Sequence, residues 1–324
     1  MTCEAMTPEN TQKNHSVTGE SQLAGIIGWP VAHSLSPLMH NAAAAALNLN
    51  LVYVPLPVIP DDLAAAVKGL ATLGFRGANV TVPHKEKVVA LLDRIDPAAA
   101  AIGAVNTLVI DIPDIEKKVV EGPSHSVDLS KNRIISGYNT DWHGFLAHLD
   151  ELAIEVRGRQ CLLLGAGGSA RAIAYALATR NAMIHIYARR LEQAEQLASD
   201  LGQHFEEELL QARSLSSLNQ YSQTSEEQPL IINTTPLGMA PEISATPWPA
   251  DLAFPTGAIV YDLIYSPADT QLMRQAREDG CLAVNGLGML LYQGAEAFRL
   301  WTGQKPNLEI MANSLNRDYN ETSE

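Results

Sequence analysis

The sequence predicts an α/β protein of two domains, and three observations lead to this class. Short apolar strands alternate with helices in both halves of the chain, the pattern of βαβ units with a mostly parallel sheet. The length of 324 residues corresponds to about two domains of average size. An apolar strand at 160–164 runs directly into a glycine-rich turn and a helix, as at the start of a Rossmann-type domain.

The first half supplies one set of alternating elements. A polar stretch, residues 1–22, lacks the apolar core of a signal peptide and is predicted to be a disordered extension. Ser36 followed by Pro37 predicts a helix start, with the serine as N-cap. Strands are expected at 23–29, 51–56, 77–82 and 104–110, and helices at 36–47, 63–73 and 85–92. The polar segment 114–136 exceeds an ordinary connection and is predicted to be an insertion.

The second half repeats the alternation. Strands are expected at 160–164, 183–187, 230–233, 258–263 and 282–285, and helices at 144–152, 169–179, 191–201, 270–279, 287–302 and 306–316. The strand at 160–164 shows no polar alternation, as expected when helices cover both faces of a sheet. The acidic segment 203–228 is expected to be a poorly defined helix and loop.

Composition excludes several classes of function. The chain has 22 Lys and Arg against 36 Asp and Glu, a net charge of −14, and only 6% aromatic residues, which disfavours nucleic acid as a partner. No apolar run approaches the ~18 residues of a membrane span. Three widely spaced cysteines form no disulfide framework and fit a cytoplasmic protein. The nine histidines show no ligand spacing, so no metal is expected.

The glycine-rich turn predicts a dinucleotide site. It comprises the residues Gly165, Ala166, Gly167, Gly168 and Ser169, followed by a small residue in the helix. The first glycine permits a tight turn, and the second lets the backbone approach a pyrophosphate. The N-terminus of the following helix offers free N–H groups and a positive dipole end to the phosphates. The competing interpretation is an ordinary tight turn between a strand and a helix.

The end of the next strand favours NADP over NAD. An NAD site usually carries a carboxylate there for the ribose 2′-hydroxyl, but this chain has Ala188, Arg189 and Arg190. A guanidinium offers a planar set of donors suited to a phosphate. A solvated helix start is the alternative, although cations are unfavourable at a helix N-terminus.

Two residues are candidates for proton transfer. Reduction of a ketone develops alkoxide charge that must be protonated, and a lysine or aspartate in a water-poor cleft suits that task. Lys85 follows a strand and a proline, and Asp141 lies where the two halves join. The alternatives are an ordinary surface lysine and an aspartate that caps the helix near Gly144.

The chain resembles the shikimate dehydrogenase family of NADP-dependent oxidoreductases. The matching segments occur in the family's order at 28–37, 77–85, 103–107, 139–141, 165–170, 233–239, 261–265 and 285–295. The resemblance implies reversible reduction of 3-dehydroshikimate to shikimate with NADPH, in the shikimate pathway that leads to chorismate and the aromatic amino acids. It also implies an N-terminal α/β substrate-binding domain and a Rossmann-type NADP-binding domain, separated by a cleft. Domain boundaries are expected at 23–140 plus 287–324 for the first and 141–286 for the second.

The resemblance also implies a role for individual residues. Lys85 and Asp141 resemble the catalytic pair, and Ser34 and Ser36 resemble the hydroxyls that hold the substrate carboxylate. The remaining substrate-binding residues implied are Thr81, Asn106, Tyr265 and Gln293, with Lys85 and Asp141 again among them. The cofactor-binding residues implied are Gly165, Ala166, Gly167, Gly168, Ser169, Ala188, Arg189, Arg190, Leu263 and Gly286.

Two other functions stay open on the sequence. One is a quinate/shikimate dehydrogenase of the same fold that accepts NAD. The other is a ligand-binding regulatory module that kept the fold and lost turnover, against which the presence of both Lys85 and Asp141 weighs. A small-molecule substrate is expected in each case, with the protein a monomer or a homodimer.

Overall fold

The computed structural model describes residues 17–111, 133–221 and 228–321. The strands are β1 Gln22–Gly28, β2 Leu51–Pro57, β3 Phe75–Val80, β4 Arg94–Ile95, β5 Thr107–Asp111, β6 Ile134–Tyr138, β7 Gln160–Leu164, β8 Met183–Ala188, β9 Leu210–Ser214, β10 Leu230–Asn233, β11 Ile259–Asp262 and β12 Leu282–Asn285. The α-helices are α1 Ser36–Ala46, α2 Leu63–Thr72, α3 Pro97–Ile102, α4 Asp141–Glu151, α5 Gly168–Thr179, α6 Leu191–Gly202, α7 Gln271–Glu278, α8 Leu287–Thr302 and α9 Leu308–Glu321.

The strands form two separate six-stranded sheets, which confirms the predicted two-domain α/β class. The first sheet has the order β2-β1-β3-β5-β6-β4. Its β1, β2 and β3 are parallel, but β5 runs antiparallel to both β3 and β6. The first sheet is therefore mixed, since β5 runs opposite to both of its neighbours while the other strand pairs are parallel.

The second sheet is parallel throughout and has the order β12-β11-β10-β7-β8-β9. Numbered from β7, this is the order 3-2-1-4-5-6 of a Rossmann domain, read from its other edge. The prediction of helix and loop over 203–228 is wrong at β9, a short edge strand with only Leu210 buried. Residues 222–227 of that prediction lie outside the described residues.

Several predicted boundaries in the first half are also corrected. The segment predicted as helix at 85–92 holds only a 3₁₀ turn, Lys87–Leu91, and the short helix α3 was not predicted. Leu35 holds the N-cap position of α1, so Ser36 is the first helical residue and makes no capping hydrogen bond; its side chain interacts with Tyr53.

The predicted N-terminal extension and the predicted insertion both differ from expectation where the structure describes them. The predicted extension is ordered from residue 17, since the Ser21 hydroxyl bonds Asn50 at 2.6 Å and β1 begins at Gln22. Residues 1–16 lie outside the described residues. Of the predicted insertion at 114–136, the last three residues belong to β6, and the part up to residue 132 lies outside the described residues.

Helices α4 and α8 pack side by side where the chain passes between the two sheets. Two glycines permit this close contact: a Cβ at Gly144 would lie 2.6 Å from the backbone nitrogen of Gln293, and one at Gly288 would overlap the ring of His148. Gln293 and Asp141 are thereby brought to the same region, one on each helix.

A buried histidine in the core of the first domain predicts a pH-dependent stability. His40 is fully buried and stacks on Tyr53 with ring centroids 4.3 Å apart. Among the described residues neither ring nitrogen has a partner of good hydrogen-bond geometry. Burial lowers the pKa of His40 from 6.5 to about 3, opposed by the nearby Asn79 side chain.

We expect His40 to weaken the folded state as the pH falls. Between pH 6.5 and about 3 the unfolded chain binds a proton at His40 that the folded chain does not, so stability is complete above pH 6.5 and decreases below it. Relative to a His40→Phe variant, the wild type should lose about 1.4 kcal/mol per pH unit in that range. Urea titrations between about pH 7 and pH 5 measure the difference, and parallel curves for the two proteins would contradict this assignment.

Candidate active site

A lysine–aspartate ion pair forms the centre of the candidate site. The Nζ of Lys85 lies 2.7 Å from Oδ2 of Asp141, with side-chain exposures of 12% and 6%. The Asn106 amide donates to the other oxygen, Oδ1, at 2.8 Å. Lys85 is therefore not a surface lysine, and the Asp141 carboxylate binds side chains instead of capping its helix.

The backbone fixes both members of this pair. Asp141 is the first residue of α4, and Thr140 holds the N-cap position. The Asp141 backbone N–H donates to Oδ1 of Asn139 at 3.0 Å. Lys85 lies beyond β3, and its carbonyl accepts a hydrogen bond from Val105 N at 2.8 Å. The two side chains thus meet from segments that are each held by neighbouring backbone.

Asn106 connects the ion pair to a buried polar network. Its Nδ2 also lies within hydrogen-bond distance of Thr140 at 3.0 Å and of Gln293 Oε1 at 3.2 Å. Its Oδ1 accepts from the Thr140 backbone N–H at 2.7 Å and from the Thr107 hydroxyl at 3.0 Å. Asn106, Asp141, Lys85 and Gln293 from the predicted site therefore lie together.

Asn79 and Thr107 belong to this network and were not assigned a role from the sequence. The Asn79 amide donates to Thr107 Oγ1 at 3.2 Å, and its Oδ1 accepts from the Tyr53 hydroxyl at 2.7 Å. Asn79 is 4% exposed and lies between the buried Ala78 and Val80 near the end of β3. Because a buried amide needs partners, an asparagine between two apolar residues near the end of a strand is the signal that could have identified it as part of a polar site.

Ser34, Ser36 and Tyr265 form a second group. The Ser36 backbone N–H donates to Oγ of Ser34 at 3.3 Å. Burial raises the pKa of Tyr265 to about 12, and an interaction with the Ser34 side chain opposes the shift. Tyr53 interacts with the Ser36 side chain, and the nearby Tyr265 raises the pKa of Tyr53. Tyr265 belongs to the second domain and Ser34 to the first, so this group spans the cleft.

Thr81 lies in the turn that follows β3. Its backbone N–H donates to the Ile27 carbonyl at 3.0 Å, and its carbonyl accepts from His84 N at 2.9 Å. A Cβ at Gly28 would overlap the Thr81 side chain. The missing side chain at Gly28 therefore lets the turn carrying Thr81 lie directly against the end of β1.

The glycine-rich turn lies where the strand order of the second sheet reverses, between β7 and β10. Gly165 has φ +115°, and a Cβ there would lie 2.5 Å from Oγ1 of Thr234. Space beside Gly167 is open, with no described protein atom within 4 Å of a Cβ built there. A crevice at the switch point, lined by the first N–H groups of α5, fits a dinucleotide pyrophosphate.

Leu263 and Gly286 meet at the carboxyl ends of β11 and β12. The Gly286 backbone N–H donates to the Ile264 carbonyl at 3.2 Å, and a Cβ at Gly286 would overlap the Leu263 carbonyl. The backbone at Leu263 is held from the other side by Asn233, whose carbonyl accepts its N–H at 3.0 Å.

Asp262 holds the neighbouring loops and was not predicted. Its carboxylate is fully buried and accepts hydrogen bonds from the Thr270 hydroxyl at 2.7 Å, the Asn233 amide at 2.9 Å and the Ile264 backbone N–H at 3.1 Å. Burial raises the pKa of Asp262 to about 6, and these hydrogen bonds act in the opposite direction.

Ala188 ends β8, and Arg189 and Arg190 follow it with exposed side chains. Arg190 precedes the first residue of α6, and its Nε donates to Gln193 Oε1 at 3.1 Å. The two guanidinium groups thus stand at the carboxyl end of the strand next to β7, where an NAD enzyme would usually carry a carboxylate.

The described part of the chain holds neither a metal centre nor a membrane-crossing helix. Within residues 17–111, 133–221 and 228–321 no group of three or more metal-ligating side chains is present. In the same residues no helix is long and apolar enough to cross a membrane.

A lysine–carboxylate pair that faces the glycine-rich end of a Rossmann crevice defines the class of protein. The pair can supply or remove the proton at an alcohol oxygen, and a bound nicotinamide cofactor would supply the hydride. The arrangement is the one expected of an NADP-dependent oxidoreductase that acts on a CH–OH group.

Comparisons with known proteins agree with this class. Residues 26–108 match the family model of the shikimate dehydrogenase substrate-binding domain, and residues 286–315 match that of the shikimate 5′-dehydrogenase C-terminal domain. The chain is 46% identical over 298 residues to shikimate dehydrogenase (NADP⁺) of Moorella thermoacetica, covering 91% of this chain and 92% of the relative.

Solved structures show the same similarity. The crystal structure of shikimate 5-dehydrogenase from Thermus thermophilus in complex with NADP(H) and shikimate is 35% identical, with a TM-score of 0.74 and coverage of 91% of this chain and 99% of that one. Quinate dehydrogenase from Corynebacterium glutamicum in complex with NAD is 28% identical, with a TM-score of 0.75 and coverage of 92% and 99%. The chain belongs to the shikimate dehydrogenase family.

Proposed function

We propose that this protein catalyses the reversible, NADPH-dependent reduction of 3-dehydroshikimate to shikimate. The observation that carries the proposal is the ion pair of Lys85 and Asp141, which lies against the glycine-rich turn: Lys85 Nζ donates to Ser169 Oγ at 3.1 Å. Residues 23–140 and 287–324 make up the substrate-binding domain, and residues 141–286 make up the NADP-binding domain.

Residues at the end of the Rossmann crevice fit NADP. Gly165, Ala166, Gly167, Gly168 and Ser169 would hold the pyrophosphate, and Ala188, Arg189 and Arg190 the adenosine ribose with its 2′-phosphate. Leu263 and Gly286 would contact the nicotinamide. When bound, NADPH supplies the hydride for the carbonyl carbon.

Lys85 and Asp141 together carry out the proton transfer. In the reduction, the Lys85 ammonium donates a proton to the oxygen that becomes the shikimate hydroxyl, and in the oxidation its amine accepts that proton. Asp141 keeps Lys85 in position through the 2.7 Å contact and faces the substrate together with Asn106. Burial of both side chains excludes the water that would compete for the same proton.

The remaining polar residues match a small polyol that carries a carboxylate. The hydroxyls of Ser34, Ser36 and Tyr265 donate to the carboxylate, and the side chains of Thr81, Asn106 and Gln293 bind the ring hydroxyls. A site built on hydrogen bonds rejects an analogue that lacks one hydroxyl, because a buried group is then left without a partner.

Replacing Tyr265 by phenylalanine is expected to weaken substrate binding. The pKa of about 12 keeps the Tyr265 hydroxyl protonated at working pH, so it can donate to an anion throughout. Its loss should raise KM for shikimate by about tenfold with kcat within about twofold, equally across neutral and mildly alkaline pH. Tyr175→Phe, a half-buried tyrosine of α5 whose ring packs against Trp142 and Phe205, is the control. An unchanged KM in Tyr265→Phe would remove Tyr265 from the substrate site.

A direct assay tests the proposed reaction. Purified protein with shikimate and NADP⁺ should form NADPH, followed by its absorbance, and should consume NADPH when given 3-dehydroshikimate. Absence of turnover at every pH between about 7 and about 10, with tight shikimate binding retained, would favour a binding module over an enzyme.

We further propose that the protein works in the cytoplasm, as a monomer or a homodimer. Cys161 and Cys281 are free and buried, and burial raises the pKa of both thiols. Thiols of that kind suit a reducing compartment. Light scattering of the purified chain measures the oligomeric state.

A further inference from the structure

The glycine-rich turn contacts Lys85 directly, across the cleft between the domains. The Ser169 hydroxyl lies 3.1 Å from Lys85 Nζ, on the opposite domain from Lys85 itself. A Cβ at Gly168 would lie 2.9 Å from the Lys85 Cβ and 3.6 Å from the Ala104 Cβ. The turn therefore packs against both the stem and the charged end of Lys85.

The Lys85 stem cannot move away to make room at Gly168. The carbonyl of Lys85 is bonded to Val105 N at 2.8 Å, and a Cβ atom is fixed by its own backbone. Gly168, the second of the two adjacent glycines, must therefore lack a side chain, because a Cβ there would collide with Lys85. Gly167, in contrast, has open space beside it and is the residue available for a pyrophosphate.

Arg171, two residues beyond Ser169, holds this part of α5 against the first domain. Its side chain is 11% exposed, and its Nε donates to the Ile102 carbonyl at the end of α3 at 2.5 Å. Its Nη2 bonds Asp200 of α6 at 2.6 Å. Gly103 leaves room for the guanidinium, since a Cβ there would lie 2.7 Å from Nη2. The contact of Ser169 with Lys85 is therefore supported by a buried charged anchor.

The number of donors on the ammonium group explains what Ser169 contributes. A lysine ammonium has three N–H donors in tetrahedral arrangement. Asp141 at 2.7 Å and Ser169 at 3.1 Å engage two of them, so the direction of the third is fixed. With Asp141 alone, the ammonium could rotate about that one contact.

We propose that Ser169 is a positioning residue for Lys85, which aims the third N–H of its ammonium group at the substrate oxygen from the cofactor side of the cleft. This inference rests on the proposed function for the identity of the substrate. It gives the glycine-rich turn a second task besides pyrophosphate binding, and that task is present without any cofactor.

Shikimate binding in the absence of cofactor separates the two tasks. Calorimetry should show Ser169→Ala binding shikimate about two- to threefold more weakly than wild type, an effect no larger than that of Lys85→Met, because Ser169 acts through Lys85. Ser169→Thr, which keeps the hydroxyl, should restore most of the affinity. Gly167→Ala is the matched control in the same turn, with unchanged shikimate affinity and a raised KM for NADP⁺.

A double-mutant cycle tests whether Ser169 acts through Lys85. In a Lys85→Met background, Ser169→Ala should leave shikimate affinity unchanged, because the group that it positions is absent. Equal shikimate affinity of wild type and Ser169→Ala, or an equal loss in both backgrounds, would overturn the proposal. Thermal unfolding of each variant checks that the fold is retained.

A readout that needs no shikimate keeps this proposal distinct from the proposed function. Trace acetylation followed by mass spectrometry gives the labelling of Lys85 relative to the exposed Lys87. Ser169→Ala should raise that ratio by about twofold or more, because one partner of the amine is removed. An unchanged ratio would overturn the inference, whereas wild-type protein that fails to oxidise shikimate would overturn the proposed function alone.

Discussion

Lys85→Met is expected to lower kcat by about 10²–10⁴-fold, with KM for shikimate within a fewfold of wild type. The range is that of a positioned general acid or base. Because the proton is transferred in the transition state, the loss falls on kcat and on kcat/KM together. Methionine keeps most of the length of the stem, so the packing of that stem against Gly168 is retained while the hydrogen bond to Ser169 is lost. Steady-state kinetics in both directions measure the effect.

The neighbouring lysine provides the control for this variant. Lys87 is exposed and begins the 3₁₀ turn two residues further on. Lys87→Met should match wild type in both constants. A Lys85→Met enzyme with near-normal kcat and a raised KM would show that Lys85 only binds the substrate, and the acid–base role would then have to be assigned to another group.

The double variant Arg189→Ala with Arg190→Ala is expected to raise KM for NADP⁺ by about 10²-fold and to leave KM for NAD⁺ within about twofold. Each guanidinium can make charge-assisted hydrogen bonds to the 2′-phosphate, and the paired loss is of the order of a few kcal/mol. NAD lacks that phosphate, so its binding does not depend on these side chains. The ratio of kcat/KM for the two cofactors is the quantity to measure.

Arg180→Ala is the control for the arginine pair. Arg180 follows α5 on the side away from the crevice, where it bonds Asp150 at 2.9 Å. Its loss should change neither cofactor constant. If KM for both cofactors rises equally in the double variant, the arginines stabilise the turn after β8 and do not distinguish the phosphate.

The cofactor domain could be predicted largely from the sequence because its signals are local. The strand at 160–164, the glycine turn and the following helix adjoin one another, and each depends on residue types within a few positions. Edge strand β9 was missed because five residues with one buried side chain carry no apolar pattern. The order of the strands, in contrast, becomes visible only in the folded sheet.

The active site depended on contacts between distant segments. Lys85 and Asp141 are 56 residues apart, and Asn106 and Gln293 are 187 apart. No spacing rule connects such pairs: Lys85 and Asp141 were candidates on local grounds, and the resemblance to a family paired them and gave Asn106 and Gln293 their roles. The contact between Lys85 and Ser169 spans 84 residues and both domains, and neither the motif nor the composition contained any sign of it.

Two sequence patterns singled out residues that make specific contacts, but the structure shows a contact that the pattern did not predict. The pattern at Ser36 predicted a capping serine, yet its hydroxyl faces Tyr53. Gly168 belongs to a phosphate-binding motif, yet the atom nearest to a Cβ built there belongs to Lys85. In both cases a local rule explained the residue type, and the structure adds a tertiary contact that the rule does not contain.

The proposed substrate and cofactor are tested most directly by a four-way comparison of kcat/KM for shikimate and quinate, each with NADP⁺ and with NAD⁺. Quinate carries an extra hydroxyl on the carbon that bears the carboxylate, next to the group held by Ser34 and Ser36. We expect the highest value for shikimate with NADP⁺, with quinate lower by about 10²-fold or more. An equal or higher value for quinate with NAD⁺ would contradict the proposed function.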